Sequence, residues 1–278
     1  IPVLAIKILA QLVKRPKPQN LVFLLFLLAM WSGNFAVHLN WLNVWSSGAD
    51  VGMRVGLLAV AGMIAVLGGR VTPAFTRNAM KRAGLPVSRW PLSTDALDKL
   101  SLGLAVFLPW IALASAGSSL LVGVTALVLG IVQVLRLTRW RGRWTWNQPI
   151  LWSLHMGIGL LGLGLILWGL AQFDFSSEVA ALHVLGIGCV GTMTMAVMSR
   201  AALGHTGRDV FNPPAGLGLI FLLMIGGAIL RCIVPVFIMD YYFHLVLVSQ
   251  IIWVGAFSLM LIYCFKPMIQ PRIDGKPG

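Results

Sequence analysis

Residues 120–135 read LLVGVTALVLGIVQVL, a run without a single charge, and residues 136–143 follow at once as RLTRWRGR, with arginine at 136, 139, 141 and 143. An apolar run of about 20 residues crosses the hydrocarbon of a bilayer as a helix, because a helix satisfies its own backbone N–H and C=O groups where no water is present. Residues 118–138 therefore read as one membrane span that ends at a basic interface. The same criterion places further spans over 20–42, 50–70, 98–117, 149–172, 177–200, 214–236 and 242–266. The chain of 278 residues is 58% hydrophobic and 10% charged, with a mean hydropathy of +0.88. Such a composition cannot cover a water-facing surface. The expected fold is all-α: a polytopic transmembrane helix bundle of about eight full spans plus a partial first helix, forming a single domain over 1–278.

The formal net charge of +13 would suggest nucleic acid in a soluble protein, but the placement of the charges rejects that partner. Assigned to alternate loops, 18 of the 21 basic residues fall on one side, from Lys14, Arg15 and Lys17 through Arg70, Arg136 and Arg200 to Lys266, Arg272 and Lys276. The opposite loops hold Asp50, Asp174, Glu178 and Asp240. The basic side is expected to be cytoplasmic. Trp41 and Trp45 mark one interface, and Trp90, Trp140, Trp144 and Trp146 the other, as interfacial anchors. Residues 70–97 are expected to be the longest cytoplasmic loop. The opening Ile1-Pro2-Val3 and the short apolar stretch before Lys14-Arg15-Pro16-Lys17-Pro18 read as the end of a truncated helix over 1–13. Cys189, Cys232 and Cys264 are far apart, odd in number and without a Cys-x-x-Cys pair, so they read as buried thiols.

Gly157-Ile158-Gly159-Leu160-Leu161-Gly162 matches a dinucleotide-binding pattern in letters only, since it lies inside a membrane span with no strand before it. Glycines there let a backbone or a flat ligand approach closely. The span interiors hold no Asp or Glu by this reading, which speaks against a proton-coupled carrier. They hold imidazoles and guanidiniums. At about 1.5 Å per residue, His38, His183 and His244 lie near the outer surface, with Arg54 and Arg231 at the same level and no acidic partner short of the loops. A ligand anion such as a haem propionate would neutralise both arginines. Two histidines on facing helices are a common way for a bundle to hold haem. His155 lies in an inner layer that also receives Arg70, Arg77, Arg200, His205 and Arg208, a second site for another haem or an anion. Against this stands the plainer reading, in which each histidine bonds a carbonyl and the basic residues form a solvated face. Met193, Met195 and Met198 follow Cys189, but Met193 and Met195 point to different faces, which favours packing over copper.

The stretch from His183 to Arg208, HVLGIGCVGTMTMAVMSRAALGHTGR, resembles the signature of the NnrS family, and GRVTPAFTRN over 69–78 is similar to that family's other cytoplasmic-side motif. Weaker matches around Asn34 to His38 and Leu151 to His155 extend the resemblance over nearly the whole chain. It implies a bacterial cytoplasmic-membrane protein with haem and copper, linked to denitrification and to relief of nitric oxide stress, with nitric oxide as a ligand. By motif position the family's histidines fall on His38, His155, His183 and His205. The family's Trp-His-x-His-Glu motif, in helices that precede this region, is absent here, so a metal centre built on those ligands would be incomplete in this sequence.

Two functional expectations follow. In the first, the protein carries haem and binds or converts nitric oxide, with His38 and His183 as axial ligands and Arg54 and Arg231 as propionate partners. In the second, it is a permease or metal-delivery protein whose histidines line a path; Leu230 to Asp240, with Pro235 near a helix end, is the feature that would favour it.

Overall fold

Helices account for the spans, and the computed structural model describes residues 1–14, 20–116, 119–232 and 238–275. Arg15, Lys17, Pro235 and Lys276, used above for topology and for the permease reading, lie outside the described residues. The helices are α1 Pro2–Lys14, α2 Leu21–Trp41, α3 Gly48–Arg82, α4 Asp95–Ala114, α5 Leu120–Thr138, α6 Pro149–Ala171, α7 Glu178–His205, α8 Gly216–Cys232 and α9 Tyr242–Ile269. Seven of them, α2 to α7 and α9, are long and apolar enough to cross a membrane, and α8 is a shorter apolar helix. No strand occurs among the described residues. The all-α bundle is as expected, and each predicted span coincides with a helix.

Successive helices pack on one another from α2 through α7, and α8 packs on α9. At the centre stands α6, in contact with α3, α5, α7 and α8. Its Leu154, Ile158, Leu161, Leu165 and Trp168 are fully buried. Lipid is as apolar as leucine, so such helices associate through close packing rather than by escape from water. The glycines show how. A Cβ on Gly33 of α2 would come within 2.6 Å of the Gly52 carbonyl of α3, and one on Gly130 of α5 within 2.8 Å of the Gly162 carbonyl of α6. Gly157 abuts Met193. Gly157 and Gly162, met in the apparent dinucleotide pattern, are therefore filled by neighbouring helices.

One boundary differs from expectation. Residues 70–97 are not one long loop, because α3 runs on to Arg82 and leaves a connection over 83–94 that holds a short 3-10 turn, Val87–Arg89. With 35 residues α3 is roughly 52 Å long, well beyond the ~30 Å hydrocarbon core. Pro73 does not stop it. A proline inside a helix withholds the N–H that the carbonyl four residues earlier would accept. That carbonyl belongs to Gly69, and Nη2 of Arg136 donates to it at 3.4 Å.

The longest interruption of regular α geometry lies within α7. Val184–Gly191 forms a π segment between Glu178–His183 and Thr192–His205. Such wide turns are rare and often accompany functional sites.

Candidate functional site

Two cavities share α7. The first, about 730 Å³, lies between the π segment and α9 and is lined by His183, Gly186, Val190, Arg231, Trp253 and Phe257 among others. The second, about 860 Å³, is an apolar trough between α3 and the Thr192–His205 part of α7, ending at Arg200 and His205. Thr194 lines both. The residues 183, 186–187, 190–191, 194, 197–198, 201 and 204–205 recur at helical spacing, so one face of α7 lines cavity from end to end.

His183 sits in the first turns of α7. Its Nδ1 donates to the Val179 carbonyl at 2.7 Å. A carbonyl only accepts, so the proton is on Nδ1, and in the neutral imidazole Nε2 keeps its lone pair. A histidine held in this way by a carbonyl has the arrangement usual for metal ligands. Arg231, near the end of α8, lines the same cavity, and no ion pair of Arg231 occurs among the described residues. The sequence placed these two residues at one level, and the fold brings them to one cavity.

The other expected partners are elsewhere. His38 is exposed, edge-on to Trp41 with ring centroids 4.9 Å apart, and does not line the His183 cavity. α2 packs on α1, α3 and α4, which keeps His38 from facing His183. The expected pair His38–His183 is thus not formed. His244 is likewise exposed, beside Tyr241.

Arg54 has an acidic partner, Glu178, one of the acidic residues that the sequence assigns to the outer side. Its Nε donates to Oε1 of Glu178 at 2.7 Å and its Nη2 to Oε2 at 3.0 Å. Nε1 of the fully buried Trp168 adds a bond to Oε1 at 3.2 Å. Glu178 opens α7, where a carboxylate suits the positive end of the helix dipole. Arg54 needs no anion from a ligand.

The proposed inner layer also separates. His155, 6% exposed, meets Thr76 Oγ1 through Nε2 at 2.9 Å. Thr76 donates its own proton to the Thr72 carbonyl, so it accepts from His155. Nδ1 is then a buried acceptor without a hydrogen-bond partner, 3.0 Å from where a Cβ on Gly142 would stand. Arg70 lines a third cavity, of about 290 Å³, with Asp95, Asp98, Lys99 and Arg136. Arg77 is exposed. Arg208 reaches Gln270 Oε1 at 3.4 Å. Among the described residues, Arg200 and His205 of that group line one cavity together, the apolar trough. The turn bearing His205 is tied down, since Arg272 Nη1 donates to the His205 carbonyl at 2.8 Å and the Ile273 N–H to the Thr206 carbonyl at 3.3 Å.

Sequence reading missed a buried polar cluster. Arg136, counted there as a loop residue, is 5% exposed and inside the bundle. It donates to Asp98 Oδ1 at 2.8 Å, Ser101 Oγ at 2.9 Å and Gln133 Oε1 at 2.8 Å, as well as to Gly69. Gln133 Nε2 closes the set on Ser101 at 2.9 Å. The signal was present: Asp98 with Ser101, and Gln133 with Arg136, are polar residues three apart, each pair on one helix face.

Among the described residues no group of three or more His, Cys, Asp and Glu side chains is placed to hold a metal ion. The three cysteines are free and buried, as expected. Residues 1–272 match the family model described as NnrS protein. No curated protein and no solved structure matches the chain.

Proposed function

We propose that this chain, which belongs to the NnrS family, is a membrane haem protein that binds or converts nitric oxide in denitrification or nitrosative-stress relief. Its place would be the bacterial cytoplasmic membrane, with the basic connections on the cytoplasmic side. One observation carries the haem reading: His183, with Nε2 free, and Arg231 line one cavity of about 730 Å³ beside Gly186 and Gly191 of the π segment. The donor chemistry fits the group. His183 would supply an imidazole to the iron, and Arg231 would hold a propionate. Gly186 leaves open space where a side chain would stand, since a Cβ there meets nothing within 4 Å. Haem, when bound, supplies an iron position for a diatomic ligand. Copper is expected from the family alone, and the described residues assemble no cluster for it.

The test is an optical spectrum of the full-length purified protein, with and without nitric oxide. A Soret band that shifts on adding the gas, and that His183→Ala diminishes, is expected. A colourless wild type, or full haem retention in His183→Ala, overturns the assignment.

A further inference from the structure

We infer that the apolar trough between α3 and α7 is a binding site for an anionic phospholipid, with the headgroup phosphate at Arg200 and His205 and an acyl chain along the trough. The inference stands apart from the haem reading, which concerns the other cavity. Val60, Leu67 and Val71 of α3 and Val197, Met198 and Ala201 of α7 make the walls. The volume of about 860 Å³ is lined without a single acidic residue.

Charge complementarity identifies the occupant. Arg200 is half-buried on a membrane helix, with its guanidinium 3.7 Å from the centre of the Phe75 ring and 5.9 Å from that of Phe211. It forms no ion pair among the described residues. The acidic group on the loop that carries Phe211, Asp209, is already engaged by Arg82 at 3.4 Å, the Phe211 N–H at 2.9 Å and Asn212 Nδ2 at 2.9 Å. Arg82 also lies over Phe211, at 4.6 Å, so this end of the trough has an excess of cation. A guanidinium held against aromatic faces at the membrane boundary calls for an anion, and the long apolar walls call for a hydrocarbon chain on that anion. A phospholipid with net negative charge has both. Free phosphate satisfies the first requirement only, and a zwitterionic lipid brings an ammonium beside its phosphate, which the excess of cation at this end of the trough disfavours.

The experiment is native mass spectrometry of the delipidated full chain, given phosphatidylglycerol or phosphatidylcholine of identical acyl chains, or inorganic phosphate. Phosphatidylglycerol is expected to be retained about fivefold better than phosphatidylcholine, the selectivity that one interfacial cationic charge supplies. Arg200→Gln should abolish that preference, Arg200→Lys should keep most of it, and Lys266→Gln, on an exposed residue outside the trough, should leave it intact. Gly204→Leu fills the trough where a Cβ has room, 3.6 Å from Val210, and should lower retention of both lipids. Equal retention of the two lipids by the wild type overturns the inference, as does selectivity that survives Arg200→Gln. Inorganic phosphate binding that competes with phosphatidylglycerol and is as strong overturns it in favour of a free-anion site. Displacement of a Soret band by the lipid assigns the trough to haem and likewise overturns it.

Discussion

Arg54 of α3 and Glu178 of α7 form a two-point ion pair, Nε to Oε1 at 2.7 Å and Nη2 to Oε2 at 3.0 Å, joining positions 124 residues apart. The planar fork of arginine matches a carboxylate at both oxygens, which fixes direction as well as distance. The pair lies at the end of the bundle where α7 begins, one turn before His183. It thereby sets the start of the helix that lines both cavities.

Glu178→Gln should lower the stability of the detergent-solubilised protein by about 1 kcal/mol, since both side chains are about a quarter to a third exposed and water screens them. Arg54→Gln should cost a similar amount, and the double variant little more than either single one. Additive losses in thermal unfolding would show that the two residues do not act as a pair.

Gly69→Ala should be costlier. The added methyl would meet the Arg136 guanidinium directly, and that group cannot move without releasing Asp98, Ser101 and Gln133. A loss of about 1–3 kcal/mol is expected, the usual cost of overpacking. Arg136→Met, which takes the donor from Gln133 and the Gly69 carbonyl and the partner from Asp98, itself a third exposed, should fall at the upper end of that range, about 3 kcal/mol. Chemical unfolding of the two variants side by side checks the order.

Thr76→Val keeps the volume of the side chain and removes the acceptor for His155 Nε2–H, so a buried donor is left unpaired. About 1–3 kcal/mol should be lost. His155→Leu in the Thr76→Val background should recover part of it by removing the stranded donor. No recovery would mean that the hydrogen bond is not what holds this contact together.

The 209–212 turn should be pH-dependent. The Phe211 N–H, with Asn212 and Arg82 behind it, holds the Asp209 carboxyl below its ordinary pKa. A lowered folded-state pKa means that the turn is stabilised at all pH values above the ordinary carboxylate range. That support is lost as acid protonates the group through its lowered value. Protection of the Phe211 amide, its exchange rate set against the free-peptide rate at the same pH, should therefore be full at neutral pH and be lost in strong acid. Asp209→Ala, which removes the acceptor, should lack that protection at every pH.

The spans were legible because bilayer thickness imposes a test that runs along the chain: a helix either keeps about 20 apolar residues together or does not cross. The positions of His183 and Arg231 at one level followed from the same counting. The end of α3 is not legible from apolar run length, since the charges from Arg70 onward end the apolar run and Pro73 removes a backbone N–H. Its orphaned carbonyl is satisfied by Arg136, a residue on another helix. The partner of Arg54 is hidden for a similar reason: nothing in residue spacing shows that Glu178, at the start of the 177–200 span, lies against α3.

From composition and spacing came the class of protein and the membrane spans, for these depend on residue type and on distance along the chain, while the family resemblance rests on the residue-by-residue motifs at 69–78 and 183–208. Which imidazole meets which guanidinium was settled by the bundle. Rotation and neighbour choice among equally apolar helices are governed by small residues such as Gly33, Gly52, Gly130 and Gly162 and by a few polar contacts. Such contacts act across space, between residues whose separation in sequence carries no trace of them. Hence His38 and His183, equal in depth, stand apart, while His183 and Arg231 share a cavity.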